Sequence, residues 1–191
     1  MTTRRQRDTG ALAGAHAAQQ LRQTIGGLEF FRRMSRGEVP PPPLVALLGF
    51  RIDVAEPGYI VFRAEPREAF YNGGGVIHGG WSAALLDSAL GCAINSTMPP
   101  GRMFTTLELK VNLTRPLRKE VGEVRCEARV LHRGARTATA EARILDANDK
   151  LYAHGTTTCI LIEGGGAPDA RVPSEPRVAK GAASSRRSRR K

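Results

Sequence analysis

The chain has 191 residues, enough for one domain with a sizeable core and too few for two comfortable ones. Its formal charge of +11 is unevenly placed: residues 1–35 hold six arginines against two acidic groups, residues 168–191 eight basic against two acidic, and the body between them fifteen against fourteen. The basicity belongs to the ends, and the body offers no basic, aromatic-interleaved nucleic-acid module, so a specific nucleic-acid partner is not expected.

In chain order, residues 1–24 are polar and Ala/Gln/Arg-rich, and read as a loose basic arm with some helix from Ala11 to Arg22. The start has basic residues but no apolar run after them, so no secretory signal is expected. From Ile25 to Arg36 the apolar residues Leu28, Phe31 and Met34 recur at helical spacing, with Phe30 beside them. That helix must stop before Pro40–Pro43, which lack donors and force extended backbone. A short apolar helical turn over Leu44–Leu48 follows. Alternation then predicts strands over Gly49–Val54 and Tyr59–Ala64, joined by a turn at Glu56-Pro57-Gly58. Pro66–Tyr71 connects them to the most informative stretch in the chain.

That stretch is a glycine-rich turn, Asn72-Gly73-Gly74-Gly75-Val76-Ile77-His78-Gly79-Gly80, leading into a helix that is apolar or small on every face and ends near Asn95–Met98. A helix with no polar side is a buried helix. Yet it carries one carboxylate, Asp87, and no basic residue. A carboxylate in such surroundings is costly to keep ionised alone. Either something pairs it across an interface, or its basicity is put to use.

The second half reads as four long strands without another helix: Met103–Leu117, Gly122–His132, Ala135–Asp146 and Lys150–Ile162. Short turns between them make antiparallel neighbours. The expected fold class is therefore α+β, one long central helix wrapped by a curved antiparallel sheet of about six strands. From Gly164 onward the chain is Gly/Pro/Ser/Arg-rich without apolar anchors, and is expected to be a disordered basic tail. The domain proper is expected over residues 25–163. Cys92, Cys126 and Cys159 form no CxxC pair or Cys/His cluster, so neither a disulfide framework nor a zinc site is supported. A reducing, cytoplasmic setting suits three free thiols. The longest apolar run is broken by Asp87, so no membrane span is expected, and no cofactor motif is present.

Asn72, then Gly75-Val76-Ile77-His78-Gly79-Gly80, then Asp87 in the helix, and later Thr106-Leu107-Glu108-Leu109-Lys110-Val111-Asn112 with Arg115-Pro116, resembles the hotdog-fold thioesterases of the PaaI type over roughly Pro43–Ile162. The resemblance implies a hotdog fold and hydrolysis of an acyl-coenzyme A thioester in sites shared by a homodimer, or by a dimer of dimers. It implies Asp87 as the catalytic carboxylate, acting as general base or nucleophile. Gly79 would be the backbone N–H donor to the thioester carbonyl, Asn72 and His78 shapers of the site, and Thr106 a holder of the attacking water. Gly80, Trp81 and Arg136 are candidate substrate contacts, with Arg133 near Arg136 and Glu108 as weaker ones.

Spacing adds a constraint of its own. Gly79 and Asp87 on one helix lie about 12 Å apart along the axis, at roughly 1.5 Å per residue. One thioester cannot meet both, whereas two helices packed antiparallel about a two-fold axis bring Gly79 of one copy to Asp87 of the other. Rival readings are a non-catalytic acyl-thioester-binding module, a basic-tail adaptor for nucleic acid or membrane surfaces, and a hydratase. Blander readings stand beside individual residues: Asn72 as a turn cap, His78 as a packing residue, and Trp81 as core.

Overall fold

The computed structural model describes residues 17–163. The first part of the expected arm and the whole expected basic tail lie outside the described residues. Helix α1 occupies residues 17–24, followed by α2 (Gly27–Ser35), α3 (Pro43–Leu48) and the long α4 (Gly79–Ser96). The strands are β1 (Arg51–Glu56), β2 (Tyr59–Ala64), β3 (Met103–Leu113), β4 (Val124–Arg133), β5 (Thr137–Leu145) and β6 (Leu151–Ile162). They form one six-stranded sheet in the order β1-β2-β4-β5-β6-β3, and every pairing is antiparallel. Helix α4 packs against five of the six strands, β2 through β6, so the sheet curls around it. This is the wrapped-helix α+β architecture expected from the sequence.

Alternation decides which face each strand buries. On β4, Val124, Cys126 and Ala128 are buried while Arg125, Glu127 and Arg129 face outward. Leu85, Leu86, Ala89, Leu90, Ala93 and Ile94 of α4 are completely buried beneath that inner face. Close approach depends on absent side chains at a few points. A Cβ at Gly27 would lie 1.9 Å from the Asn95 carbonyl oxygen, so only glycine lets α2 settle on the end of α4. A Cβ at Gly155 would lie 2.7 Å from the Lys110 carbonyl oxygen, across the β6–β3 pair.

Several boundaries move for local reasons. Helix α3 starts on Pro43, whose fixed φ suits a first helical position, and ends on Gly49 at φ 73°, a left-handed cap. Because the Phe50 N–H returns to the Val45 carbonyl, β1 begins at Arg51 rather than at Gly49. Strand β3 stops at Leu113 because the Thr114 and Arg115 N–H groups both turn to the Tyr152 carbonyl. Residues 17–24, the described part of the arm in which helix was expected from Ala11 to Arg22, are helical, with Ala18 and Leu21 packed on the core. Among the described residues no helix is long and apolar enough to cross a membrane.

Candidate active site

The glycine turn is held shut by Asn72. Its Oδ1 accepts from the Gly74 N–H at 2.8 Å and the Val76 N–H at 3.4 Å, and its own N–H donates to the Val76 carbonyl. Gly75 supplies the left-handed residue of this turn, at φ 72°. The turn is then anchored outward: the Ile77 N–H reaches the Leu117 carbonyl, the His78 N–H reaches the Phe70 carbonyl, and the Arg118 guanidinium holds the Gly75 carbonyl. These contacts fix where α4 begins. The turn-cap reading of Asn72 therefore describes what its side-chain oxygen does.

His78 is the N-cap of α4. Its exposed ring accepts the Gly80 N–H on Nδ1 at 2.9 Å, so the ring proton belongs on Nε2. The Trp81 N–H goes to the His78 carbonyl. Of the first three helix donors, that leaves Gly79 with no acceptor among the described residues. An uncommitted N–H at the positive end of an 18-residue helix suits an oxygen that is gaining charge. A Cβ at Gly79 would come within 2.7 Å of Leu113 Cδ1, so the glycine also lets β3 lie close to this end of α4.

Asp87 sits two turns further along, half-buried, and accepts a hydrogen bond from the Thr106 hydroxyl at 3.2 Å. It is not the fully buried, unpartnered carboxylate that the apolar helix suggested. Thr106 lies on the inner face of β3, opposite Cys159, whose sulfur is 4.0 Å from the same hydroxyl. The nearby thiols stay protonated. Burial pushes Cys92 up to about 12, an effect opposed by the Arg22 guanidinium and reinforced by the Asp87 charge. Cys159 is likewise raised, by burial first. The cysteines therefore offer no thiolate to this neighbourhood.

The other sequence candidates divide. Gly80 is exposed, but its N–H is occupied by His78. Trp81 is buried in an aromatic group, edge-on to Phe50 at 5.4 Å and stacked on Phe70 at 6.1 Å, which is a core position. Arg133 and Arg136 are exposed around the β4–β5 turn. Glu108 requires a correction. A count of two residues along a regular strand sets it on the face of Thr106, but β3 carries a bulge between them: Thr106 pairs with Cys159 while Glu108 pairs with Thr158. The extra residue, Leu107, turns Glu108 to the exposed outer face, away from Asp87. Sequence reading also missed a cavity of about 550 Å³ beneath α1, where Arg22, Cys92 and Phe104 meet. Its signal was weak, since Arg22 lay in a stretch read as an arm. Among the described residues no group of three or more His, Cys, Asp or Glu side chains is placed to hold a metal ion.

Comparison with known proteins places this geometry. Residues 74–153 match the family model described as the thioesterase superfamily, a span that contains the helix start, Asp87 and Thr106. A Halobacterium salinarum protein provisionally named an esterase is 30% identical over 122 residues, covering 61% of this chain and 79% of its own. A crystal structure from Ralstonia eutropha, described as a phenylacetic acid degradation-related protein and provisionally a thioesterase, is 30% identical, with a TM-score of 0.62 over 68% of this chain and 98% of its own. The Escherichia coli PaaI protein from the phenylacetic acid degradation operon, at 22% identity, shares the fold with a TM-score of 0.63, over 70% of this chain and 94% of its own. With its glycine turn, its helix-borne Asp87 and its wrapped sheet, the chain belongs to the thioesterase superfamily, as a hotdog-fold protein of the PaaI type.

Proposed function

We propose that the protein hydrolyses an acyl-coenzyme A thioester in a site assembled from two copies of the chain. The observation that carries the reading is the division of labour along α4. The uncommitted Gly79 N–H and the Thr106-held Asp87 are the two groups a thioesterase needs, and they stand eight residues apart on one rigid helix. At roughly 1.5 Å of rise per residue they are too distant to serve one carbonyl. A second α4 running antiparallel across a two-fold axis brings each Gly79 to the other copy's Asp87. The outer edge of β3 supports such a contact, because among the described residues it ends the sheet, and it carries the exposed Leu107 and Leu113.

In this mechanism Asp87 takes a proton from a water as its oxygen adds to the thioester carbonyl carbon. The carbonyl oxygen becomes an oxyanion at the Gly79 N–H, where a single donor is typically worth about 3 kcal/mol in the transition state. Collapse of the adduct breaks the C–S bond, and the coenzyme A thiolate takes up a proton as it leaves. An alternative first step, direct attack by the Asp87 carboxylate and later hydrolysis of the anhydride, uses the same groups. Thr106 orients the carboxylate, Asn72 and His78 hold the helix start in position, and the exposed Arg133 and Arg136 are available to the coenzyme A phosphates. Three free cysteines suit a reducing compartment such as the cytoplasm.

The test is thiol release from short, medium, long and aromatic acyl-coenzyme A esters. Turnover of at least one class supports the reading. Tight binding of the esters with no turnover overturns it in favour of a non-catalytic binding module.

A further inference from the structure

The cavity beneath α1 is not a plain hydrocarbon pocket, and most of its walls come from residues outside the span that matches the family model. At about 550 Å³ it has the size of a small-molecule site. Phe30, Phe31, Phe62 and Met103 make it largely apolar, and Cys92 and Asn95 of α4 form one side. Two arginines also line it, Arg22 of α1 and Arg102 just before β3. The Nε atoms of both are buried and have no acceptor among the described residues. Arg102 has other partners, the Ala135 carbonyl at 2.8 Å and Glu163 at 3.7 Å. Arg22 faces no carboxylate among the described residues, only the rings of Phe30 at 4.6 Å and Phe31 at 5.6 Å. Aromatic faces offset only part of the cost of taking a cation out of water.

The cavity adjoins the proposed reaction centre. Asp87, Gly91 and Asn95 form one ridge of α4, spaced four residues apart. The Phe104 ring lies over the middle of that ridge, since a Cβ at Gly91 would be 2.9 Å from Phe104 Cζ. Phe104 shares the inner face of β3 with Thr106. One helix and one strand thus border both Asp87 and the cavity, with the Phe104 ring between them, so an acyl chain reaches the cavity only as that ring rotates aside. From Asp87 to Asn95 the helix rises about 12 Å, and an extended chain at roughly 1.2 Å per bond covers that in about ten bonds.

We infer that the cavity receives the far end of the acyl group and selects acyl groups ending in a carboxylate, with Arg22 as its counterion and the Arg102 Nε as a second donor. The thioester end of this statement rests on the thioesterase reading; the carboxylate end rests on the cavity alone. A methyl or phenyl terminus would leave the Arg22 charge and both Nε donors unanswered. A carboxylate answers all three, and the apolar walls accept the methylene chain that carries it.

The full-length chain is assayed with suberyl- and sebacyl-coenzyme A against octanoyl- and decanoyl-coenzyme A of matching length. Wild type is expected to favour the carboxylated chains by about tenfold or more in kcat/KM, the scale of a charge-assisted hydrogen bond. Arg22→Met should bring the ratio close to one, and Arg22→Lys should restore part of it. A wild-type ratio near one or inverted, or a ratio unchanged in Arg22→Met, overturns the inference. Should Arg22→Met fail to fold, the wild-type ratio decides. If no thioester is turned over, the thioesterase reading fails separately. Thermal stabilisation of wild type by decanoate but not by 1-decanol then supports the cavity inference, and equal or absent stabilisation overturns it.

Discussion

The Thr106 hydroxyl, at 3.2 Å, is the one hydrogen-bond donor to Asp87 among the described residues, so the orientation of that carboxylate depends on a single side chain. Replacing Thr106 by Val keeps the shape and removes the donor. A hydrogen bond to a charged group contributes roughly 1.5–3 kcal/mol, so kcat should fall about 10- to 100-fold. Thr106→Ser should stay near wild type, and circular dichroism should show both variants folded. Arg136, exposed on the outer surface, belongs to a different class of effect. If it meets coenzyme A phosphates, Arg136→Ala should raise KM several-fold, weaken that dependence at high salt and leave kcat in place, as steady-state kinetics at two ionic strengths would show. The motif's order and spacing place Gly79 at the start of α4 and Asp87 two turns on, where the Thr106 hydroxyl meets it, while their roles in hydrolysis stay proposals. Glu108 was misread because a bulge at Leu107 adds one residue to the count, and composition gives no sign of it. Asn72 was legible as a turn residue for a local reason: its side chain bonds backbone two and four residues on.

Elements were easier to read than their ends. Alternation on β4 and the all-round apolarity of α4 both carry through to burial, because each reports a face that must leave water. The ends of α3 and β3 are set by individual hydrogen bonds, such as the Phe50 N–H to the Val45 carbonyl, which periodicity does not encode. The α2–α4 contact gives a sharp prediction. Gly27→Ala places a methyl where the Asn95 carbonyl oxygen lies 1.9 Å away, and backbone cannot rotate aside as a side chain can. Overpacking of this kind costs about 1–3 kcal/mol, a fall of several degrees in Tm that differential scanning calorimetry would detect. The β5–β6 turn makes another. Asp146 accepts from the Asn148 and Lys150 N–H groups and from the Tyr152 hydroxyl, and the Lys150 N–H is the largest of the influences that lower its carboxyl below the usual range. A lowered folded-state pKa means stability that is present above the unfolded value, about 3.9, and lost as pH falls through the folded one. Asp146→Asn should therefore be less stable than wild type at pH 7, with the gap closing in denaturant titrations as acid takes the pH below the unfolded value and through the lowered folded one.

At the scale of the whole molecule, the sequence pointed to a second copy before any fold was in view, because the Gly79-to-Asp87 spacing is a property of one helix. The proposed contact uses the outer edge of β3, the last strand of the sheet among the described residues, where Leu107 is exposed at 59%. Leu107→Lys should weaken the proposed dimer, so that sedimentation detects monomer and specific activity rises with protein concentration. Activity that stays constant while the species is monomeric would mean the sites are not shared. The cavity beneath α1 was not legible, because it depends on how Arg22 folds back over Phe30 and Phe31, a tertiary contact with no local spacing. The measurement that bears most directly on the account is thiol release by Asp87→Asn beside wild type, on whichever acyl-coenzyme A ester wild type turns over fastest. Removal of a general base typically costs about 10²- to 10⁴-fold, and a loss of that size with an unchanged melting transition is the expected result. Hydrolysis by the variant at close to the wild-type rate would contradict it.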